Sequence, residues 1–179
     1  MPDEANDLNT AINLIDMTSI ITTNRAKIHK GTKAEQAISY LVNGIVTPHT
    51  HPFDILTNNG KLEVKFSKLQ CPDKKSITYL RWNWYALLGP LGNKKFDNLI
   101  LVGEMDDKYR ARYKDSTSQY VIFDIPFADI TKVASVGKRG ILGLALSSNP
   151  DVRGEVNKKL FNLYQTTQSE LTNRHGIMF

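Results

Sequence analysis

Residues Phe53-Asp54-Ile55-Leu56-Thr57-Asn58-Asn59-Gly60-Lys61-Leu62-Glu63-Val64-Lys65-Phe66 alternate apolar and polar side chains in twos on either side of an Asn-Gly pair. Two such runs flanking Asn-Gly signal a β-hairpin, because these residues tolerate the left-handed backbone that a two-residue turn demands. With Asn59-Gly60 as the turn, Asn58 pairs with Lys61. Stepping outward, Leu56 then faces Glu63, Ile55 faces Val64, Asp54 faces Lys65 and Phe53 faces Phe66. Alternation puts Phe53, Ile55, Thr57, Leu62, Val64 and Phe66 on one face, a core face, and Asp54, Leu56, Glu63, Lys65 and Ser67 on the other.

Two acids and an ammonium group therefore leave one side of the ribbon together. In this register Asp54 and Glu63 are diagonal neighbours with Cβ atoms roughly 7 Å apart, close enough for their carboxylates to share a cation. A hard divalent ion such as Mg²⁺ suits them, since it takes one or two protein carboxylates and leaves its other positions to water and phosphate oxygens. Lys65 beside it is suited to stabilise charge on a pentacovalent phosphate or to orient an attacking water. The plain alternative is an exposed cross-strand charge cluster on a half-solvated sheet. Glu-x-Lys alone separates the two poorly in a lysine-rich chain; its place on the second strand of a hairpin, opposite an Asp, carries the information.

Outward from the hairpin, Ala34, Ala37, Ile38, Leu41 and Val42 share one face of a helix over 32–43, stopped by Asn43-Gly44. Leu8, Ala11, Ile12, Ile15 and Ser19 suggest a shorter amphipathic helix before residue 25. Downstream, 77–84 reads as a third strand of the sheet, 98–103 as a fully buried strand and 120–125 as another. Val152, Val156, Leu160, Leu163 and Tyr164 form a stripe that predicts one helix over 151–171. The order implies an α/β fold with a mixed central β-sheet flanked by α-helices. The 179 residues carry 23 Lys and Arg against 18 Asp and Glu, a net charge of +5, and a single cysteine. That size fits one domain over 1–179. Cys71 alone excludes a disulfide framework and reads as a buried thiol in a reducing, cytoplasmic setting. No apolar run is long enough to span a membrane, and the acidic start is unlike a signal peptide.

The helix Gly31-Thr32-Lys33-Ala34-Glu35, followed by Pro52-Phe53-Asp54 and then Glu63-Val64-Lys65, resembles the PD-(D/E)xK nuclease superfamily, which includes many type II restriction endonucleases. The resemblance covers about residues 30–104 and implies a restriction-endonuclease-like core over 31–104, an accessory N-terminal helix over 1–30, and a recognition and dimerisation region over 105–179. It implies that Asp54, Glu63, the Val64 carbonyl and the optional acid Glu35 hold Mg²⁺, and that Lys65 is the catalytic lysine. The implied activity is Mg²⁺-dependent cleavage of double-stranded DNA, site-specific and by a homodimer. A structure-specific nuclease of the junction-resolvase kind and a noncatalytic DNA-binding protein stand as alternatives. The family usually places a substantial helix before its fourth core strand, whereas the glycines and proline of 85–95 leave room only for a short or displaced one.

Several residues admit two readings. Thr32 and Glu35 also fit a capping box. His49 and His51 form a His-x-His pair without the further ligands a zinc site needs, leaving DNA contact or a solvent-facing role. Trp82 and Trp84 share one strand face and suit a core better than base stacking; Arg81 and Asn83 on the other face are DNA-contact candidates. Lys33, Lys68, Lys94, Lys95, Lys138 and Arg139, together with Arg25, Lys27 and Lys30, supply positive charge for phosphates. The Lys138-Arg139-Gly140 loop has the character of a groove-reading loop.

Overall fold

The computed structural model describes residues 30–72 and 79–176. The expected helix before residue 25, Arg25, Lys27, His29, the Lys30 side chain and the first residues of the expected 77–84 strand lie outside the described residues. The elements are α1 (Lys30–Leu41), β1 (Ile45–Val46), β2 (Ile55–Thr57), β3 (Gly60–Ser67), β4 (Arg81–Trp84), β5 (Asn98–Glu104), β6 (Tyr120–Pro126), β7 (Ser135–Val136), β8 (Leu142–Ser147), α2 (Glu155–Lys159), β9 (Gln165–Thr166) and α3 (Gln168–His175). Short 3-10 turns follow β5 and β6.

A mixed six-stranded sheet runs β1-β2-β3-β5-β6-β9, with β3 and β5 parallel and the other neighbours antiparallel. One face packs on the helices: Ala34, Ala37, Ile38, Leu41 and Val42, joined by Leu171 of α3, cover Ile55, Leu62, Val64, Ile100, Val102 and Ile122. The opposite face, Leu99, Leu101, Val121, Phe123 and Ile125, lies under a second sheet of order β4-β8-β7 through Trp82, Trp84, Leu144 and Leu146. Of the parallel pair only β5 is apolar on both faces, because both layers cover it, which explains the unbroken run from Leu99 to Val102; β3 carries Glu63 and Lys65 on one of its faces.

The stripe and stop of α1 match the sequence pattern. Asn43 is left-handed (φ 49°), and the amides of Gly44 and Asn43 donate back to the carbonyls of Ser39 and Tyr40 at 2.8 and 3.3 Å, closing the helix with a Schellman motif. Its start differs. Lys30 is already helical, so Thr32 lies inside the helix and is not the N-cap that the capping-box reading requires.

Three further expectations are corrected. The strand around Trp82 and Trp84 does not extend the hairpin sheet: β4 pairs with β8 instead. Both tryptophans are buried, as expected, with indole N–H groups donating to the Glu104 and Val102 carbonyls at 2.9 and 3.2 Å. The single helix over 151–171 is broken: α2 passes into a π-helical turn, Leu160–Tyr164, and then into β9, which satisfies the otherwise open edge of β6. A new helix starts at Thr167, whose hydroxyl accepts from the Glu170 amide while Glu170 accepts from the Thr167 amide. Cys71 is exposed. No helix among the described residues is long and apolar enough to cross a membrane.

Candidate functional site

The hairpin forms, with its turn displaced. Thr57 pairs with Gly60, Leu56 with Lys61 and Ile55 with Leu62, so Asn58 and Asn59 make the turn and Gly60 (φ 146°) follows it. Contacts from elsewhere choose this register. The Asn59 side chain donates to the carbonyls of Arg174 and Gly176 at 3.2 Å, and Asp97 accepts from the Lys61 amide at 2.8 Å. The displacement is two residues, an even number, so every side chain from Asp54 to Lys65 keeps its face. It moves Asp54 from opposite Lys65 to beside Glu63.

Phe53 is the exception to the facial pattern. The Asp54 amide donates to the Leu62 carbonyl at 2.9 Å although Ile55 is the residue paired with Leu62. Two successive residues thus share one partner, alternation breaks, and Phe53 joins the tryptophan cluster instead of the helix-facing one.

The carboxylates and ammonium groups meet as the hairpin suggests. Glu63 is fully buried, and its Oε1 lies 2.5 Å from Lys65 Nζ. Asp54 is fixed by its own strand partner, since Oδ2 accepts from the Val64 amide at 2.9 Å. A second lysine completes the centre. Lys94 Nζ donates to Glu63 Oε1 and Oε2 at 2.7 and 2.8 Å and to Asp54 Oδ1 at 3.2 Å, bridging the two acids. Sequence reasoning counted Lys94 among phosphate contacts and missed this role; nothing local to residue 94 signals a partner thirty-one residues away.

Burial pushes the Glu63 carboxyl above its usual range and the nearby Asp54 charge adds to this, while Lys65 and Lys94 pull it down. Burial disfavours the Lys94 ammonium, but its hydrogen bonds and ion pairs with Glu63 and Asp54 outweigh that and raise its pKa. The two directions oppose each other across one contact, and the short bonds from Lys94 to both Glu63 oxygens decide for the ion pair. Glu35, half-buried on α1, belongs to the same electrostatic field. Burial raises its carboxyl, Asp54 raises it further, and His49, Lys65 and Lys94 lower it.

Asp54 and Glu63 offer oxygen donors only, which suits a hard cation. The Lys94 ammonium, held by three of those oxygens, marks the point between them as one where positive charge is stabilised. Among the described residues, no three His, Cys, Asp or Glu side chains form a group arranged to hold a metal. The donor set is therefore a carboxylate pair, within the range Mg²⁺ uses when water and substrate fill its other positions.

The remaining candidates scatter. Lys68, Lys95, Lys138 and Arg139 are exposed, the last two at the turn between β7 and β8. Lys33 is only 6% exposed on α1, and Arg81 and Asn83 are half-buried, with Asn83 donating to Gln70 at 2.7 Å. His49 and His51 are exposed; the His51 ring meets Phe53 edge-on.

A second buried acid lies at the opposite side of the sheet. Asp124 on β6 accepts from Asn98 Nδ2 at 2.8 Å, contacts His175 Nε2 at 2.8 Å and pairs with Arg174, tying α3 to the sheet. Burial opposes its charge, but the His175, Arg174 and Asn98 contacts prevail and lower its pKa. Comparison with protein-family models and with curated proteins finds no match for the chain.

Proposed function

We propose that this chain is a Mg²⁺-dependent endonuclease of the PD-(D/E)xK type that hydrolyses phosphodiester bonds in double-stranded DNA, site-specifically and as a homodimer. The observation that carries the reading is the meeting of Asp54, Glu63 and Lys65 on one side of a hairpin, with Glu35 of the preceding helix in the same electrostatic field. A mixed sheet covered by helices on the face behind that hairpin is compatible with a restriction-endonuclease-like core.

Asp54 and Glu63, with the Val64 carbonyl by resemblance, would hold the ion. When bound, the ion supplies Lewis acidity towards a phosphoryl oxygen and lowers the pKa of a coordinated water. The chain's own groups do the rest. The Val64 amide holds the Asp54 carboxylate in one orientation. Lys65, anchored on Glu63 and partly open to solvent, presents positive charge where a phosphoryl oxygen gains negative charge. Glu35, with its carboxyl raised by burial, is suited to hold a proton at its carboxyl oxygen. Exposed Lys68, Lys95, Lys138 and Arg139 supply phosphate contacts, each adding about one unit to the log–log salt dependence of DNA binding. A two-fold dimer brings two such centres to the two strands.

The test is digestion of mixed linear, plasmid and branched DNA with Mg²⁺, alongside Asp54→Ala, Glu63→Gln and Lys65→Ala. Discrete bands from plasmid, reduced at least about 10²-fold in each variant with DNA affinity retained, are the expected result. Cutting confined to branched DNA would favour a structure-specific nuclease. DNA binding without cutting by the wild type, or full cutting by the variants, would overturn the site.

A further inference from the structure

We propose that Lys94 is a resident counter-ion of the Asp54–Glu63 pair that must leave its seat before a divalent cation enters, coupling cation binding to the position of the loop between β4 and β5. The inference rests on reading that pair as the metal seat. Its basis is the Lys94 ammonium itself, which takes three of the four carboxylate oxygens at 2.7, 2.8 and 3.2 Å and so occupies the point a metal ion would need.

The loop is built to deliver this side chain. Its turns are closed by Gly89 N–H to Ala86, Gly92 N–H to Gly89 and Lys94 N–H to Leu88, at 2.8, 3.1 and 3.0 Å. The Lys95 amide then donates to the Pro52 carbonyl at 3.1 Å, pinning the loop two residues before Asp54. Gly89 has φ 77°, and a Cβ there would stand 2.9 Å from Lys94 Cγ, so the lysine stem lies directly on glycine backbone. A surface lysine reaching a carboxylate by chance needs no such bed.

Lys65 and Lys94 differ in what they can do. Lys65 rises from the same strand as Glu63, two residues on, so the strand itself sets it beside that acid. Lys94 comes from a loop outside the sheet, thirty-one residues from Glu63, and reaches the acids only through its side chain. With Glu35 holding its proton, charge balance favours the departure of one of them: two acids and two ammonium groups cancel, whereas a divalent ion added on top leaves two like charges in surplus within a few ångströms of each other. Release of Lys94 halves that surplus, and an incoming phosphodiester removes the remainder.

The experiment is calorimetric titration of Mn²⁺, without DNA, into wild type, Lys94→Met and Glu63→Gln, with hydrogen exchange of the wild type read before and after saturation. A competing conformation lowers apparent affinity by the fraction that is binding-competent, so Lys94→Met should bind Mn²⁺ about tenfold tighter than wild type. Exchange at the Lys94 and Lys95 amides should rise on saturation, and Glu63→Gln should not bind. Equal affinity of wild type and Lys94→Met would overturn the inference while leaving the metal seat intact. Absence of binding to both would overturn the seat as well. Should Lys94→Met fail to fold, the wild-type exchange decides: unchanged protection at saturating Mn²⁺ sinks the proposal.

Discussion

Glu63 and Asp124 are buried alike, 0% and 2% exposed, and both are paired with cations, yet their carboxyl groups shift in opposite directions. The difference is the company each keeps. Asp124 meets an amide, an imidazole and a guanidinium brought by β5 and α3, and none of these is an acid. Glu63 has Lys65 beside it and Asp54 bridged to it through one shared ammonium, so a second acid stands within its field. A buried acid saturated by fixed donors is a clamp. Two neighbouring acids that share an ammonium brought by a loop form a different kind of centre, and perturbed clusters of this kind concentrate where chemistry is done.

The sharpest way to break the comparison is Asp124→Ala. Removing one partner of a buried pair costs about 3–5 kcal/mol, which at roughly 2–4 °C per kcal/mol for a chain of this size is a drop readable in a thermal melt. Mn²⁺ affinity should not move. A variant that melted normally but lost metal affinity would show that the two centres are one.

Acidity separates them next, in protein free of divalent ions. Asp124 titrates below its ordinary 3.8 when folded, so its contribution to stability is complete above that pH and is lost as pH falls through the lowered folded value. Glu63 and Glu35 titrate above their ordinary 4.5, so they favour the folded state most below that value and lose that advantage as pH rises through their raised values. Denaturant midpoints from pH 3 to 7 should therefore decline at both ends of the range. Glu63→Gln should flatten the upper limb and leave the lower one; the opposite pattern would reverse the assignment.

The smallest expected effect is at Gly89. Gly89→Ala places a Cβ against the Lys94 stem at a positive φ and should cost somewhat over about 1 kcal/mol in denaturant unfolding. It should also shift Mn²⁺ affinity part of the way towards that of Lys94→Met. Unchanged affinity would mean that the glycine bed does not position Lys94.

The catalytic candidates Asp54, Glu63 and Lys65 were legible because strand alternation has a period of two residues. Even with the turn misplaced from Asn58-Asn59 to Asn59-Gly60, the slip was even and the faces survived. Phe53 was misassigned because one irregular hydrogen bond breaks that alternation. The helix stripe of α1 and the apolar runs of β5 and β6 were equally local signals, and they hold. The chain read by itself thus determined the secondary structure around the hairpin and which side chains share its two faces, since both depend on neighbours a few residues apart. Only the tertiary structure decided the hairpin register, the move of β4 into a second sheet, the arrival of Lys94 between the acids and the clasp of Asp124 by α3. Each of these is fixed by groups more than thirty residues apart in sequence, whose meeting leaves no periodic trace in the residues between them.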